Sequence, residues 1–300
     1  MIPVIPFEEG EARLDWLELT DALAKGHELP KAEIGDTYLY RGDDTILNRS
    51  AWIDGMGIAV KSATVFPGNP QQGKAVVNGG VTLYSDSDGT PQAIVDFHLL
   101  TKWKTAGDSL LAARKLARPD SRNILIMGAG TVGHSLVEAY RAGFPEAEFT
   151  VWNRTAVRAQ AMAERLGIDW VEDLQAAVGN ADIIGCATMS TAPVLMGDWL
   201  QPGQHVDLIG AYRPDMREAD DTAMSRSRVF VDSFATTIEH IGEIKDPLER
   251  GVISRGDLLA DFYDLEAFDR TPTDITLCKN GGGAHLDLMT ARYILERWHG

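Results

Sequence analysis

The chain has 300 residues, 44% of them hydrophobic and 24% charged, which supports a sizeable core and excludes a disordered segment, a collagen-like repeat or a disulfide-stapled miniprotein; the length suggests about two domains. Lys and Arg number 28 against 44 Asp and Glu, a net charge of −16 that repels phosphate backbones and anionic lipids, so no nucleic-acid or membrane partner is expected and any anionic ligand needs a local basic pocket. Two cysteines, Cys186 and Cys278, make no Cys-rich metal site, no run nears the ~18 apolar residues of a membrane span, and the opening residues lack a basic segment before an apolar run, so a metal-free cytoplasmic protein is the expectation.

Leu14 to Leu23 has helical apolar spacing and meets a plausible stop at Gly26. From about 34 to 102 short apolar runs (Tyr38–Tyr40, Ile58–Val60, Lys74–Val77, Val81–Tyr84, Ala93–Val95) alternate with turn-rich pieces such as Phe66-Pro67-Gly68-Asn69-Pro70, the texture of a mainly antiparallel sheet. Lys104 to Leu116 reads as a helix joining two domains. Strand and helix then alternate: Asn123–Met127, a helix from Thr131, Glu148–Trp152, a helix from Thr155, Ile168–Val171, a helix near Leu174, and Asp182–Ala187. Further strands are expected at Val206–Ile209, Val229–Val231 and Ile275–Cys278. Such alternation means parallel βαβ units with right-handed crossovers.

The strand Ile124-Leu125-Ile126-Met127 runs straight into Gly128-Ala129-Gly130-Thr131-Val132-Gly133 and a helical pattern. A lone GxGxxG is weak, but strand before, helix after and a βα series downstream are the context of a dinucleotide turn. The glycines permit the tight turn, backbone approach to a pyrophosphate and close helix–strand packing, while the helix N-terminus offers free N–H groups and a positive dipole. An NAD site usually ends its second strand on a carboxylate for the ribose 2′-OH; this one reads Trp152-Asn153-Arg154-Thr155. Asn153 does not repel a 2′-phosphate and Arg154 can pair with it, aided by Thr155 and Arg158, so NADP(H) is expected over NAD(H). Thr188, Met189 and Ser190 follow a strand at the edge where ligands of parallel sheets bind, and are expected to touch the cofactor. The fold class is therefore α/β, a Rossmann-type doubly wound parallel sheet that follows a smaller α+β domain ending near Leu116.

Several segments taken together resemble the ornithine cyclodeaminase/mu-crystallin family: Val60-Lys61-Ser62-Ala63-Thr64-Val65-Phe66-Pro67-Gly68-Asn69, Lys104-Thr105-Ala106-Gly107-Asp108-Ser109, the glycine turn, Trp152-Asn153-Arg154-Thr155, Ile209 to Pro214 with Arg217-Glu218, Val231-Asp232-Ser233, Gly242-Glu243, and Lys279-Asn280-Gly281-Gly282-Gly283-Ala284. The resemblance spans about 30 to 295. It implies a homodimer whose N-terminal sheet and C-terminal helix, 1–116 with 284–300, form the substrate and dimer domain, leaving 117–283 as the Rossmann dinucleotide-binding domain, and a small 2-imino, 2-amino or 2-keto acid as substrate. It places Lys61 at the active-site lysine, and Lys104 where many members carry an arginine that clamps the substrate carboxylate. Lysine turns that bidentate fork into a point donor, and Arg49, on the strand before Lys61, is the candidate to compensate. Ornithine-cyclising members use an aspartate where this chain has Tyr212, which disfavours the lyase reaction.

A reductase of a cyclic imino acid needs a cationic anchor, a hydride donor and a proton source. An ammonium near Lys104 and Arg49 sheds its proton more easily, since like charges disfavour the charged form, so Lys61 is a candidate proton donor as well as an anchor. His285, early in the last helix, reads as a structural hydrogen bonder. Trp16, Trp52 and Trp103 read as core. The expected activity is an NAD(P)H-dependent reductase of a Δ1-pyrroline-2-carboxylate-like imine or ketimine, or the reverse amino-acid dehydrogenase. Its rivals are an ammonia lyase using bound NAD and a non-catalytic NADP-binding protein.

Overall fold

The computed structural model describes residues 2–300. In chain order its elements are β1 (Val4–Ile5), α1 (Phe7–Glu11), α2 (Trp16–Gly26), β2 (Glu33–Arg41), β3 (Asp44–Ile53), β4 (Gly57–Val65), β5 (Val77–Tyr84), β6 (Pro91–Asp96) and α3 (Phe97–Leu116). There follow β7 (Asn123–Met127), α4 (Thr131–Gly143), β8 (Glu148–Trp152), α5 (Ala156–Leu166), β9 (Asp169–Trp170), α6 (Leu174–Asn180), β10 (Ile183–Cys186) and β11 (His205–Leu208). The remainder is α7 (Asp221–Arg226), β12 (Arg228–Val231), α8 (Phe234–Thr237), α9 (Gly242–Glu249), β13 (Thr276–Lys279) and α10 (Ala284–His299).

Two compact units result, Met1–Lys104 with Gly283–Gly300, and Thr105–Gly282. The division falls inside α3, twelve residues before the Leu116 boundary expected from sequence. A continuous helix carries no turn or composition break, so a reading based on such breaks slides to its end at Arg118-Pro119.

In the first unit the strands lie in the order β1-β6-β5-β4-β3-β2, antiparallel from β6 to β2, with β1 parallel to β6. Lys74–Val77 is not a strand. The strand starts at Val77 and runs unbroken through Gly79-Gly80 to Tyr84, joining the expected run Val81–Tyr84. Gly79 is there for room: a Cβ would lie 2.2 Å from the Ser62 carbonyl oxygen and 2.8 Å from the Phe97 ring. Along β4 burial alternates, so Ala59, Lys61 and Ala63 share the covered face. Helix α10 packs against β3, β4, β5 and α2. Asp15 caps α2 by accepting from the Leu17 and Glu18 N–H groups, and Gly26 lets it approach α10, since a Cβ would sit 2.8 Å from Met289. Trp16 and Trp103 stack in the core at 3.8 Å. Trp52 does not join them; it is half exposed and donates from Nε1 to Asp86.

In the second unit the order is β12-β13-β11-β10-β7-β8-β9, all parallel. This is the doubly wound arrangement expected. Its strands are buried throughout their central stretches, as parallel strands covered on both faces must be. The direction of winding reverses between β7 and β10, which places a crevice outside their carboxyl ends. Among the described residues, no helix is long and apolar enough to cross a membrane.

Candidate active site

The glycine turn sits at that switch point. Gly128 has φ +117°, and its N–H donates to the Trp152 carbonyl at 2.8 Å. A Cβ there would lie 2.6 Å from the Ala187 carbonyl oxygen, and one at Gly133 only 2.0 Å from the Gly128 carbonyl oxygen. Gly130, the N-cap of α4, differs: its Cβ position has nothing within 4 Å. Two glycines are thus required by the protein's own packing, while the third leaves open space before a 13-residue helix N-terminus, where an anion is favoured.

A cleft of about 280 Å³ opens here, lined by Gly128, Ala129 and Gly130, by Asn153, Arg154, Thr155 and Arg158, and by Thr188, Met189 and Ser190. Of the residues expected to bind cofactor, Thr131, Val132 and Gly133 are not on its wall; they form the first turn of α4. Asn153 braces the turn, accepting from the Ala129 N–H at 3.1 Å and donating to the Thr155 carbonyl at 3.0 Å. Arg154 and Arg158 are exposed, as is Met189 at 74%. A larger cavity of about 580 Å³ lies at the opposite, amino end of the strands, beside Asn123 and Asn180, away from the edge where ligands of such sheets bind.

One buried carboxylate fixes the floor of the cleft. Glu218 accepts at Oε1 from the Thr188 N–H (2.7 Å) and hydroxyl (2.8 Å), and at Oε2 from the Gly210 (2.6 Å) and Ala211 (3.1 Å) N–H groups. Burial pushes its pKa up to about 7, opposed by the charge of Lys279 and reinforced by that of Glu243. The loops leaving β10 and β11 are therefore tied to one side chain. Nothing in the sequence around Arg217-Glu218 gives Glu218 this task.

In the first unit, pairing register brings the expected Arg49 and Lys61 together and adds Asp36, which was not expected. Asp36 on β2 lies opposite Arg49 on β3, and Arg49 opposite Lys61 on β4. Arg49 donates from Nε to both Asp36 oxygens at 3.2 and 3.1 Å. Lys61, 8% exposed, donates to Asp287 on α10, with Nζ 2.7 Å from one oxygen and 2.6 Å from the other. Burial lowers the Lys61 pKa to about 8; Asp287 pulls it up, while Lys104 and Arg49 push it down. The expected effect of the neighbouring cations is present, but burial exceeds it. Lys104, on α3, is likewise buried. His285 is buried edge-on to His27 at 5.3 Å, and burial first, then the charges of His27, Lys104 and Arg49, keep its pKa well below the usual value. It is a neutral imidazole at physiological pH and no ready acid.

Asp287 escaped the sequence reading. A signal existed: the period of two puts Lys61 in phase with Ala59 and Ala63, on the covered face, where an ammonium needs a carboxylate. Nothing in the sequence said that the carboxylate lies 226 residues away.

A parallel sheet with an open glycine turn at its switch point, in a chain that also buries a row of cations, defines a Rossmann-type enzyme, an NAD(P)-dependent oxidoreductase. The chain belongs to the ornithine cyclodeaminase/mu-crystallin family, whose model matches residues 52–300. It is 48% identical, over 97% of its length and 95% of the relative's, to the Δ1-pyrroline-2-carboxylate reductase of Paracoccus denitrificans. It is 30% identical to the ketimine reductase mu-crystallin of Rattus norvegicus, covering 80% of this chain and 76% of that one. Among solved structures, the Thermococcus litoralis Δ1-pyrroline-2-carboxylate reductase in complex with NADH and L-proline superposes with a TM-score of 0.88 at 25% identity, over 99% of this chain and 97% of that one.

Proposed function

We infer that this protein is an NAD(P)H-dependent reductase of a small cyclic imino acid of the Δ1-pyrroline-2-carboxylate kind, giving the L-amino acid or running in reverse as its dehydrogenase. The observation that carries the reading is the buried Lys61 ammonium flanked by Arg49 and Lys104, in a chain whose relatives reduce such imines. The fit of the second unit to a dinucleotide rests on the open space at Gly130. The backbone N–H groups at the start of α4 would hold the pyrophosphate, with Ala129, Thr131 and Val132 beside it and Thr188, Met189 and Ser190 toward the nicotinamide. Bound there, a reduced nicotinamide supplies a hydride.

Lys104 and Arg49 are the proposed carboxylate anchors and Lys61 the proton donor. Its Nζ–H bond breaks as an N–H bond forms at the imine nitrogen, leaving a neutral amine that solvent reprotonates. A pKa near 8 suits this: the ammonium is mostly charged at neutral pH, yet is far more acidic than an exposed lysine. NADPH is the favoured cofactor, because Arg154 and Arg158 stand exposed on the cleft rim and the second strand ends without a carboxylate. Two buried, unpaired cysteines accord with a reducing cytoplasm.

The subunit contact is assigned to the first sheet, giving a homodimer, because β2 is exposed along its whole length and carries Ile34, Tyr38, Leu39 and Tyr40. Light scattering should give twice the chain mass, and a stable micromolar monomer would reject the assignment. The activity is tested by NADPH oxidation with Δ1-pyrroline-2-carboxylate, its six-membered homologue, and 2-keto acids with ammonia or methylamine. Turnover of the cyclic imines supports the reading. Ammonia release from ornithine without net cofactor oxidation, or cofactor binding with no turnover of any of these, would replace it.

A further inference from the structure

Among the described residues, Lys61 and Asp287 form an ion pair that is unusual for its surroundings. It lies on the covered face of a sheet, in phase with Ala59 and Ala63, beneath a helix whose neighbouring residues Leu286 and Leu288 are wholly buried. A buried pair of this kind is weak evidence for stability, since desolvating two ions offsets most of their attraction. The charged and titratable groups around it are few. Helix α10 brings Asp287 and the neutral His285, β3 brings Arg49 with its β2 partner Asp36, and α3 brings Lys104. Two buried lysines and the partly exposed Arg49 therefore lie near a single buried carboxylate, because Asp36 is exposed and is already committed to Arg49. Without Asp287, Lys61 would face desolvation and two like charges with no compensating anion.

We propose that Asp287 is a positioning residue for the reductase reaction: its carboxylate accepts a hydrogen bond from the Lys61 ammonium at one oxygen and holds the other 2.6 Å from it, and so keeps it charged and held in place to donate a proton to the substrate nitrogen. The proposal rests on the reading of Lys61 as the donor. Asp287 itself donates nothing. The neutral amine left after transfer regains its proton from solvent because the adjacent carboxylate favours the ammonium. Two other sources of orientation are weaker. Lys104 and Arg49 repel Lys61, and His285 carries no charge at working pH.

The test reads Lys61 directly, with the enzyme free of cofactor, by trace labelling with acetic anhydride across a pH series and quantifying the Lys61 peptide by mass spectrometry. Wild type should show half-maximal reactivity near pH 8. In Asp287→Asn the midpoint should move down by one unit or more, making Lys61 about tenfold more reactive below pH 7. The alkaline limb of kcat/KM for NADPH-dependent imine reduction should move the same way, and Asp287→Glu should restore both. An unchanged labelling midpoint in Asp287→Asn, with activity lowered evenly at every pH, would show a merely structural contact and overturn the proposal. If Asp287→Asn does not fold, Asp287→Glu decides. Its midpoint should stay within about half a unit of wild type while kcat falls, since charge is kept and geometry is not; a wild-type kcat would overturn the positioning role. Should wild type reduce no cyclic imine, the functional reading fails while the labelling still reports on the pair.

Discussion

Gly130 and Gly133 occupy the same turn for opposite reasons, and alanine at each position should separate them. At Gly133 a Cβ falls 2.0 Å from a backbone oxygen, about 1.4 Å short of ordinary contact, with no flexible side chain to give way. Overpacking of this kind costs about 1–3 kcal/mol, offset in part by the ~1 kcal/mol that alanine gains over glycine inside a helix. Gly133→Ala should therefore lower Tm by several degrees. At Gly130 the backbone is extended (φ −93°, ψ −176°), which any residue adopts, and the Cβ meets nothing. Alanine caps a helix less well than glycine by about 0.5 kcal/mol, so Tm should move by only one or two degrees. Yet that same methyl occupies the approach to the helix N-terminus. Losing one charge-assisted hydrogen bond to a phosphate, worth about 1.5–3 kcal/mol, should raise the NADPH Kd by about 10- to 150-fold. Differential scanning fluorimetry and isothermal titration with NADPH read the two effects apart. Wild-type NADPH affinity in a folded Gly130→Ala protein would refute the placement of the pyrophosphate.

The other expected outcomes concern cofactor choice, chemistry and pH. Arg154→Ala should weaken NADPH about tenfold and leave NADH unchanged, the low end of the range for a charged hydrogen bond because Arg154 is solvent-exposed; equal wild-type affinity for the two cofactors would end that argument. Lys61→Arg should lower kcat about 100-fold or more while the protein stays folded, because arginine keeps the charge but does not release a proton. Near-wild-type kcat in Lys61→Met would remove Lys61 from the reaction. His205 is held neutral by burial and by the nearby charge of Arg270, with its pKa pushed down to about 3. The unfolded imidazole takes up a proton below about pH 6.5 and the folded one does not, so stability present above pH 6.5 is lost as pH falls toward 3. Melting curves of His205→Gln should show a shallower loss over that window, and an unchanged slope would count against it.

The glycine turn and the parallel sheet were readable because each depends on residues adjacent in sequence: a strand, GxGxxG and a helix start. The edge of the cleft was readable for the same reason, since Thr188 to Ser190 follow β10 directly. Arg49 and Lys61 could be paired because a short turn at 54–56 sets their register. What stayed hidden depends on contacts between distant segments. Asp287 comes from a helix that returns to the first sheet, and Glu218 reaches back 30 residues to Thr188. Arg154 and Asn153 were assigned one task together, but the structure separates them: Asn153 is engaged inside the turn, whereas Arg154 stands in solvent. The start of β5 was placed three residues early, at Lys74, because an apolar run does not show where strand pairing begins.

The first unit is assembled from two stretches of chain separated by the 178 residues of Thr105–Gly282, and this bears on how the protein folds. An unstructured connection of that length would make docking of α10 onto β3 and β4 slow, because closure entropy must be met before the contact forms. A second unit that folds first removes this barrier by holding residues 105 and 282 at a fixed separation. Until α10 arrives, the covered face of the sheet lies open and Lys61 is hydrated, with its ordinary basicity. Where the second unit folds first, the dinucleotide fold is complete before α10 covers the first sheet and brings Asp287 to Lys61.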